Sequence, residues 1–326
     1  MQTNKTIKIL VTGSGGFIGM NLMYHFQCQN FINVTGTIRS TTWRKKIFSI
    51  PESSFVNIDI LEFNKLDELL QNLRPEVIIH AATYGAYTQF ENDKEKMTQV
   101  NVIGTQELMK LAHKVGVKRF IHLGSSSEYG RSPIPWHEDG ILYPQNFYGK
   151  TKAMATWSVI HLGKKLGLPS WVIRPFSVYG PGEDLRRIIP EIFLKAITKK
   201  EFHLRHPNLK RDFLYVGDLC KFLISLASSQ CPPGEGEIFN FTRGEETSFL
   251  QLSEMLKDLC GVNVILPIGQ ETQTTIAKPE SHHSWLGLPD KTKNIFDVYP
   301  QSSLMEGLES SWIEFQKNIK SYPISL

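Results

Sequence analysis

The 326-residue sequence predicts an α/β fold, a doubly wound parallel sheet covered by helices on both faces, with a smaller mixed α/β unit after it. Three observations carry this expectation. Apolar, β-branched runs alternate with segments of helical spacing from Ile7 to about Ile173. The first run ends in a glycine-rich turn that opens a helix. The alternation stops at Arg174-Pro175, where loop signals begin.

The first run is Ile7 to Gly19, IKILVTGSGGFIG. It reads as a buried strand up to Gly13, then a turn with Gly15, Gly16 and Gly19, then a helix carrying Phe17, Ile18, Leu22 and Phe26. Glycine lets the backbone approach a ligand without a Cβ in the way, and a helix N-terminus presents unpaired N–H groups and a positive dipole end. This order of elements is an anion site. The remaining strand candidates are Asn33–Ile38, Phe55–Ile58, Val77–His80, Arg119–Leu123 and Ser170–Ile173, after Lys8–Val11 in the first run. Leu66, Leu69, Leu70 and Leu73 keep helical spacing between them, as do Leu108, Leu111, Ala112 and Val115. Ligands of such sheets bind at the carboxyl ends of the strands, where the glycine turn lies.

Beyond Arg174 come the loop Val178-Tyr179-Gly180-Pro181-Gly182 and a helix-like stretch from Ile188 to Lys199. A strand candidate at Arg211–Val216 leads to a helix over Leu219–Ala227, and Cys231-Pro-Pro-Gly234 reads as a turn. Ser248-x-x-Gln251 is a capping box before Phe249, Leu252, Leu256 and Leu259. Leu304, Leu308, Trp312, Phe315 and Ile319 form an apolar stripe near the end. The expected division is residues 1–178, with a later contribution from about 212–228, binding a dinucleotide, and residues 179–326 forming mainly a substrate-binding lid.

Composition narrows the class. With 41% hydrophobic and 21% charged residues the chain can bury a core and is not disordered. A net charge of +4 without a dense Lys/Arg run fits an anionic small molecule at least as well as nucleic acid, and no nucleic-acid partner is expected. Cys28, Cys220, Cys231 and Cys260 are scattered, as free thiols of a reducing compartment would be. No signal peptide or membrane-length apolar run is visible, so a soluble cytoplasmic protein without a membrane partner is expected. The pair His282-His283 lacks spaced partner ligands, and no metal is expected.

Tyr148-Gly-Lys-Thr-Lys152 is the second informative feature. Residues four apart share a helix face, and a cationic Lys beside a phenol lowers its pKa toward neutrality, suiting it for acid–base work. Of the ten tyrosines only Tyr148 has Lys at the fourth place after it, and it follows the fifth strand candidate, where Pro144 and Asn146 can start a helix. The third feature is Gly124-Ser125-Ser126-Ser127-Glu128-Tyr129-Gly130, at the end of that strand, where a hydroxyl could hydrogen-bond a reacting oxygen beside Tyr148.

These motifs together resemble the extended short-chain dehydrogenase/reductase family, with its Rossmann-type fold, in the branch of nucleotide-sugar epimerases, dehydratases and reductases. Further matches are Asp59-Ile60, His80-Ala81-Ala82, Asn101-Val102-x-Gly104-Thr105, Arg174-Pro175-Phe176-x-Val178-Tyr179-Gly180-Pro181-Gly182 and Arg211-Asp212-Phe213-x-Tyr215-Val216-x-Asp218, so the likeness runs from residue 7 to about 240. The resemblance implies that Gly13, Ser14, Gly16, Phe17, Ile18 and Gly19 hold the cofactor diphosphate, that Asp59 and Ile60 flank the adenine, and that Ala81, Ala82, Asn101 and Pro175 line the cofactor. It implies Tyr148 as acid/base, Lys152 as the grip on the nicotinamide ribose, and Ser125 as the catalytic hydroxyl, or Ser126 if a residue is missing. Arg211 and Arg205 would meet the diphosphate of a nucleotide sugar. Ser126, Ser127, Ser177 and Tyr84 are the remaining substrate candidates; Ser177 stands where the family often has Asn, and Tyr84 could stack on a sugar or base or pack under the lid. The helices around 101–115 and 147–164 are the dimer surface of the family, which implies a homodimer.

An acidic residue at the end of the second strand would select NAD, and a basic one accommodates the 2′-phosphate of NADP. No carboxylate lies between Asn33 and Pro51, whereas Arg39, Ser40 and Arg44 are present. NADP(H) is therefore expected, with NAD as the alternative. Dehydratases of the family carry a carboxylate two places after the catalytic hydroxyl. Counted from Ser125 that place is Ser127, with Glu128 one later, so dehydration is disfavoured. A 4-ketoreductase of a 4-keto-6-deoxy sugar nucleotide is the leading expectation and a 4-epimerase the alternative. A protein that binds cofactor without chemistry is disfavoured by the retained Tyr148, Lys152 and serine.

Overall fold

The computed structural model describes residues 6–29, 32–40, 42–87, 91–228, 235–267 and 285–324. The Cys231–Gly234 turn and His282-His283 lie outside the described residues. The first half runs β1 (Ile7–Thr12), α1 (Phe17–Gln27), β2 (Ile32–Ile38), α2 (Arg44–Phe48), β3 (Phe55–Asn57), α3 (Phe63–Leu73), β4 (Val77–His80), α4 (Lys94–Thr98), α5 (Gly104–Lys114), β5 (Arg119–Leu123), α6 (Phe147–Leu166) and β6 (Ser170–Pro175). The second half adds β7 (Ser177–Tyr179), α7 (Ile188–Ile197), β8 (Phe202–His203), β9 (Lys210–Arg211), β10 (Phe213–Tyr215), α8 (Val216–Ser228), β11 (Glu235–Phe241), β12 (Thr247–Ser248), α9 (Phe249–Cys260), β13 (Val264–Ile265), α10 (Asp290–Phe296) and α11 (Leu304–Lys317).

Seven strands form one parallel sheet in the order β3-β2-β1-β4-β5-β6-β11. The order reverses between β1 and β4, which opens a crevice above their carboxyl ends. Side chains alternate across the sheet. Ile9, Val11, Ile79, Ile121 and Ile173 join the core under α1 and α8. Leu10, Ile78, Phe120 and Val172 join the opposite core with Leu66 and Leu70 of α3, Leu108 of α5 and Val159 of α6. Both faces are dry, and this is why the strands read as continuous apolar runs.

The sheet's last strand, β11, comes from 235–241, past the 212–228 segment expected to return to this layer. The strand expected over Arg211–Val216 is broken into β9 and β10 by Asp212. Its buried carboxylate accepts from the Thr242 hydroxyl and from the N–H groups of Arg243 and Gly244, each at 3.1 Å, and these bonds turn the chain inward. Val216 already begins α8.

Local signals set the other boundaries. Asn146 starts α6 by accepting from Gly149 N at 2.7 Å, and Gly167 ends it at φ +62°. The Ser248/Gln251 capping box opens α9. In the second half, Phe193 of α7 meets Trp312 and Phe315 of α11, the latter two from the expected apolar stripe. Between α4 and α5 the helical path widens into a single i→i+5 stretch at Gln99–Ile103, which turns Asn101 toward the loop after β4. Among the described residues no helix is long and apolar enough to cross a membrane, and no group of three His, Cys, Asp or Glu could hold a metal ion.

Candidate active site

The glycine turn after β1 is shaped by contacts that exclude a side chain. Gly13 has φ +69°, and a Cβ on it would lie 2.5 Å from backbone atoms of Ala82, just past β4. A Cβ on Gly19 would overlap the Gly13 carbonyl oxygen and sit 2.7 Å from Ser14 Cα. Gly16 is different. It caps α1 without a side-chain hydrogen bond, and a Cβ there would meet only the Gly13 oxygen, at 3.2 Å. The first turn of α1 holds no acidic residue, so its positive end is free to attract an anion. Ser14 does not border the cleft. Its buried hydroxyl and its N–H both donate to Thr37 O, at 2.9 and 3.1 Å, and tie the turn to β2.

The turn opens on a cleft of about 540 Å³. Gly13, Gly16, Phe17, Ile18 and Gly19 line one side of it. Arg39, Ser40 and Arg44 border it past β2, Asp59 and Ile60 past β3, and Ala81 and Ala82 past β4. Tyr148 and Lys152 close its inner end from α6. Arg39 and Ser40 are exposed at the mouth. Arg44 is committed to the protein: its Nε donates to Gly182 O at 2.7 Å and its guanidinium lies 4.5 Å from the Trp43 ring. Lys45, though close behind in sequence, is buried and pairs with Glu52. Asn101 and Pro175 do not border the cleft. Asn101 works through the chain: it accepts from Tyr84 N and donates to Tyr84 O, both at 2.8 Å, and donates to Thr151 at 3.0 Å, fixing the loop after β4 against α6.

Thr83 and Ser125 neighbour the Tyr148 hydroxyl and favour its ionised form. Ser125 Oγ accepts from Ser127 N at 3.1 Å, and Ser126 accepts from Trp285 Nε1 at 3.1 Å. Glu128 holds the loop from below. One carboxylate oxygen accepts from Ser125 N at 2.8 Å, and the other pairs with Arg174 at 2.8 Å, both side chains being fully buried. Ser127 packs its carbonyl against Gly149, where any Cβ would overlap that oxygen.

The expectation that Lys152 draws the phenol toward neutrality needs correction for the protein alone. Burial pushes Tyr148 up to about 12, and its neighbours Thr83 and Ser125 offset this only in part. Lys152 Nζ points down to Leu123 O at 2.6 Å and His122 Nε2 at 3.3 Å, and desolvation brings it down to about 8.

In the second half Arg211 lies 4.9 Å from the Trp285 ring and donates to Lys210 O. Desolvation first, then the Arg187 charge, push it down to about 10, with Arg131 adding to this and Glu246 opposing it. Arg205 is exposed on the turn after β8, and Ser177 pairs with Phe213 in a short ladder. In the loop Thr83–Tyr87 it is Tyr87, not Tyr84, that lines the cleft; Tyr84 packs into the α3/α5 core with Lys96 Nζ 4.8 Å from its ring. Sequence reasoning missed Thr83, Trp43 and Trp285. Thr83 follows His80-Ala81-Ala82 directly, so its place was readable; nothing near Trp285 or Trp43 signals a site.

Comparison with known proteins agrees with this geometry. Residues 9–241 match the NAD dependent epimerase/dehydratase family, and the chain belongs to it. It is an enzyme fold of the short-chain dehydrogenase/reductase type. A UDP-glucose 4-epimerase of Mycolicibacterium smegmatis is 28% identical over 96% of this chain and 99% of its own length. A GDP-6-deoxy-D-mannose reductase of Pseudomonas aeruginosa is 26% identical over 79% of this chain and 82% of its own. The crystal structure of a UDP-glucuronic acid 4-epimerase from Bacillus cereus, in complex with UDP-glucuronic acid and NAD, superposes with a TM-score of 0.81 over 95% of this chain and 99% of its own, at 24% identity. The cleft fits a dinucleotide: a Cβ-free surface at Gly16 faces it, the unopposed end of α1 adjoins it, and its volume suits a cofactor.

Proposed function

We propose that the protein is an NADP(H)-dependent oxidoreductase of a nucleotide-activated sugar, acting as a 4-ketoreductase on a 4-keto-6-deoxy sugar nucleotide. The observation that carries the reading is that Tyr148 and Lys152 both line the cleft that the glycine turn opens, with Ser125 next to Tyr148. A nicotinamide cofactor held there supplies the hydride. Ser125 orients the sugar carbonyl, Tyr148 protonates the new alkoxide, and Lys152 holds ribose hydroxyls with its ammonium. The Gly13–Gly19 turn would hold the diphosphate, and Arg39 and Ser40 the 2′-phosphate, since no carboxylate borders the cleft between β2 and α2. Residues 1–178 with 212–228 would serve the cofactor and 179–326 mainly the sugar nucleotide, whose diphosphate suits the Arg211 guanidinium.

Dehydration is disfavoured further by the pairing of Glu128 with Arg174, which takes the nearest carboxylate out of the site. A redox-neutral 4-epimerase is the second reading, supported by the 28% identity to a 4-epimerase along the whole chain. A homodimer through α5 and α6 accords with the exposed Trp157 and Met154 on α6. Dissociation constants for both cofactors test the first choice, and NAD bound at least ~10-fold tighter would overturn it. Turnover tests the second: a reductase consumes NADPH stoichiometrically, whereas an epimerase turns over with no added cofactor.

A further inference from the structure

We propose that His122 is a positioning residue for Lys152, its imidazole Nε2 accepting one N–H of the buried ammonium so that the remaining N–H is directed into the cofactor cleft. The inference rests on the reading of Lys152 as the ribose-holding residue, but the contact itself is a property of the protein alone.

An ammonium has three donors and no acceptor. Lys152 is 2% exposed, so each of its N–H groups needs a partner within the protein or the cleft. Leu123 O takes one at 2.6 Å and His122 Nε2 a second at 3.3 Å. Lys152 also borders the cleft, and the third N–H is the one left for it. Without the imidazole, a second N–H would face the apolar interior and the ammonium could swing.

His122 is otherwise hard to explain. It stands in a central parallel strand between Val172 of β6 and His80 of β4, where an aliphatic residue would pack without polar atoms. Its Nδ1 is buried and has no hydrogen-bond partner among the described residues. A buried ring retained with one unpaired nitrogen points to work done by the other. While Lys152 is an ammonium it can only donate, so Nε2 accepts and the proton of the neutral ring sits on Nδ1.

The surrounding groups hold that state. From β4, His80 lies 5.2 Å away between ring centroids, with Thr12 and Thr105 on its nitrogens at 2.6 and 2.8 Å. Burial and the Lys152 charge keep His80 at about 3 and His122 well below its ordinary value, so both rings are neutral at physiological pH. From α6 come Lys152 and the uncharged Tyr148, from α5 only the hydroxyl of Thr105, and from the serine loop Glu128. Glu128 favours the Lys152 charge at a distance and is itself paired with the buried Arg174 of β6. A neutral acceptor orients the ammonium without cancelling its charge. A carboxylate in place of His122 would hold Lys152 in an ion pair, away from the cleft.

The test is nuclear magnetic resonance on the nucleotide-free protein, following the His122 ring nitrogens and the Lys152 Cε signal against pH. The expected result is an Nδ1–H tautomer at pH 6 to 7, where Lys152 is an ammonium, and a Lys152 midpoint near the value of about 8. In His122→Phe the midpoint falls by about one pH unit, and NADPH binding at pH 8 weakens about tenfold. In His122→Gln, whose Oε1 can accept, both return toward wild type. An Nε2–H tautomer or an imidazolium in the wild-type protein at pH 6 to 7 overturns the proposal, even if neither variant folds. So does an unchanged midpoint in His122→Phe, or a Gln variant that behaves like Phe. Failure to bind either nicotinamide nucleotide would overturn the functional reading instead and leave the titration to decide this one.

Discussion

Gly149 offers a sharp test of how the site is assembled. Alanine in place of glycine inside a helix normally adds about 1 kcal/mol of stability. At Gly149 the added methyl would overlap the Ser127 carbonyl oxygen and lie 3.0 Å from Pro144 Cβ and 3.1 Å from the Ser127 carbonyl carbon. The nearest atom is backbone and cannot rotate away, so α6 and the serine loop must part by roughly 1 Å. They carry Tyr148 and Ser125, one residue and two residues from the clash, and the approach of these two side chains is the first thing disturbed. A displacement near 1 Å costs on the order of 100-fold in rate. The clash costs about 1–3 kcal/mol against the propensity gain, leaving stability lower by roughly 0–2 kcal/mol. In Gly149→Ala, NADPH oxidation with a nucleotide-linked 4-keto-6-deoxy hexose should therefore drop about 100-fold in kcat, while urea denaturation changes little. Wild-type turnover in this variant would refute the claim that the approach of Tyr148 and Ser125 depends on the fit at Gly149.

Three other perturbations separate the remaining claims. Arg39→Asp should weaken NADPH binding at least ~10-fold and leave NADH binding unchanged or tighter, by titration of each nucleotide; equal losses for both would remove Arg39 from 2′-phosphate recognition. Arg174→Met leaves the Glu128 carboxylate buried without its cation and should cost about 3–5 kcal/mol in urea denaturation, part of it regained by adding Glu128→Gln; a loss below ~1 kcal/mol contradicts the burial of the pair. His80 binds its proton near 6.5 when unfolded but at about 3 when folded, so its contribution to stability is complete above about 6.5 and is lost as pH falls. Between pH 6 and 4.5 this amounts to about 2 kcal/mol. Glu183, raised to about 7, and Asp212, raised to about 6, act in the opposite sense, so the observable is the difference in pH slope between wild type and His80→Gln. Identical slopes would show that His80 is not held neutral by the fold.

Patterning read the first six strands well because the sheet is dry on both sides. Val77–His80 and Arg119–Leu123 match β4 and β5 at both ends, and the others differ by one or two residues. β11 escaped notice because Glu235, Glu237 and Asn240 interrupt its apolar run, and Asn240 belongs there only through bonds from Tyr129 and to Trp136 O. The break between β9 and β10 was equally hidden, since Asp212 turns the chain through partners thirty residues away. At the site, glycines and the Tyr148…Lys152 spacing are local signals and were legible. Ser14 and Asn101 belong to the motifs but spend their side chains on the scaffold, a distinction that motif matching cannot make. Tyr84 and Tyr87 are alike in sequence, and only the pairing of Tyr84 with Asn101 decides which of them reaches the cleft.

The late arrival of β11 has a consequence for how the chain is made. β6 is an inner strand, yet its outer neighbour lies some 60 residues further along, beyond α7 and α8. At 5–20 residues per second the ribosome needs roughly 3–12 s to supply it. During that interval the growing sheet presents β6 as an open edge, a ready template for pairing with another nascent chain. Trp171, Val172 and Ile173 make that edge apolar. A chain cut at residue 178 would keep it open permanently and is expected to aggregate when expressed alone, whereas one extended through Phe241 covers the β6 edge with β11.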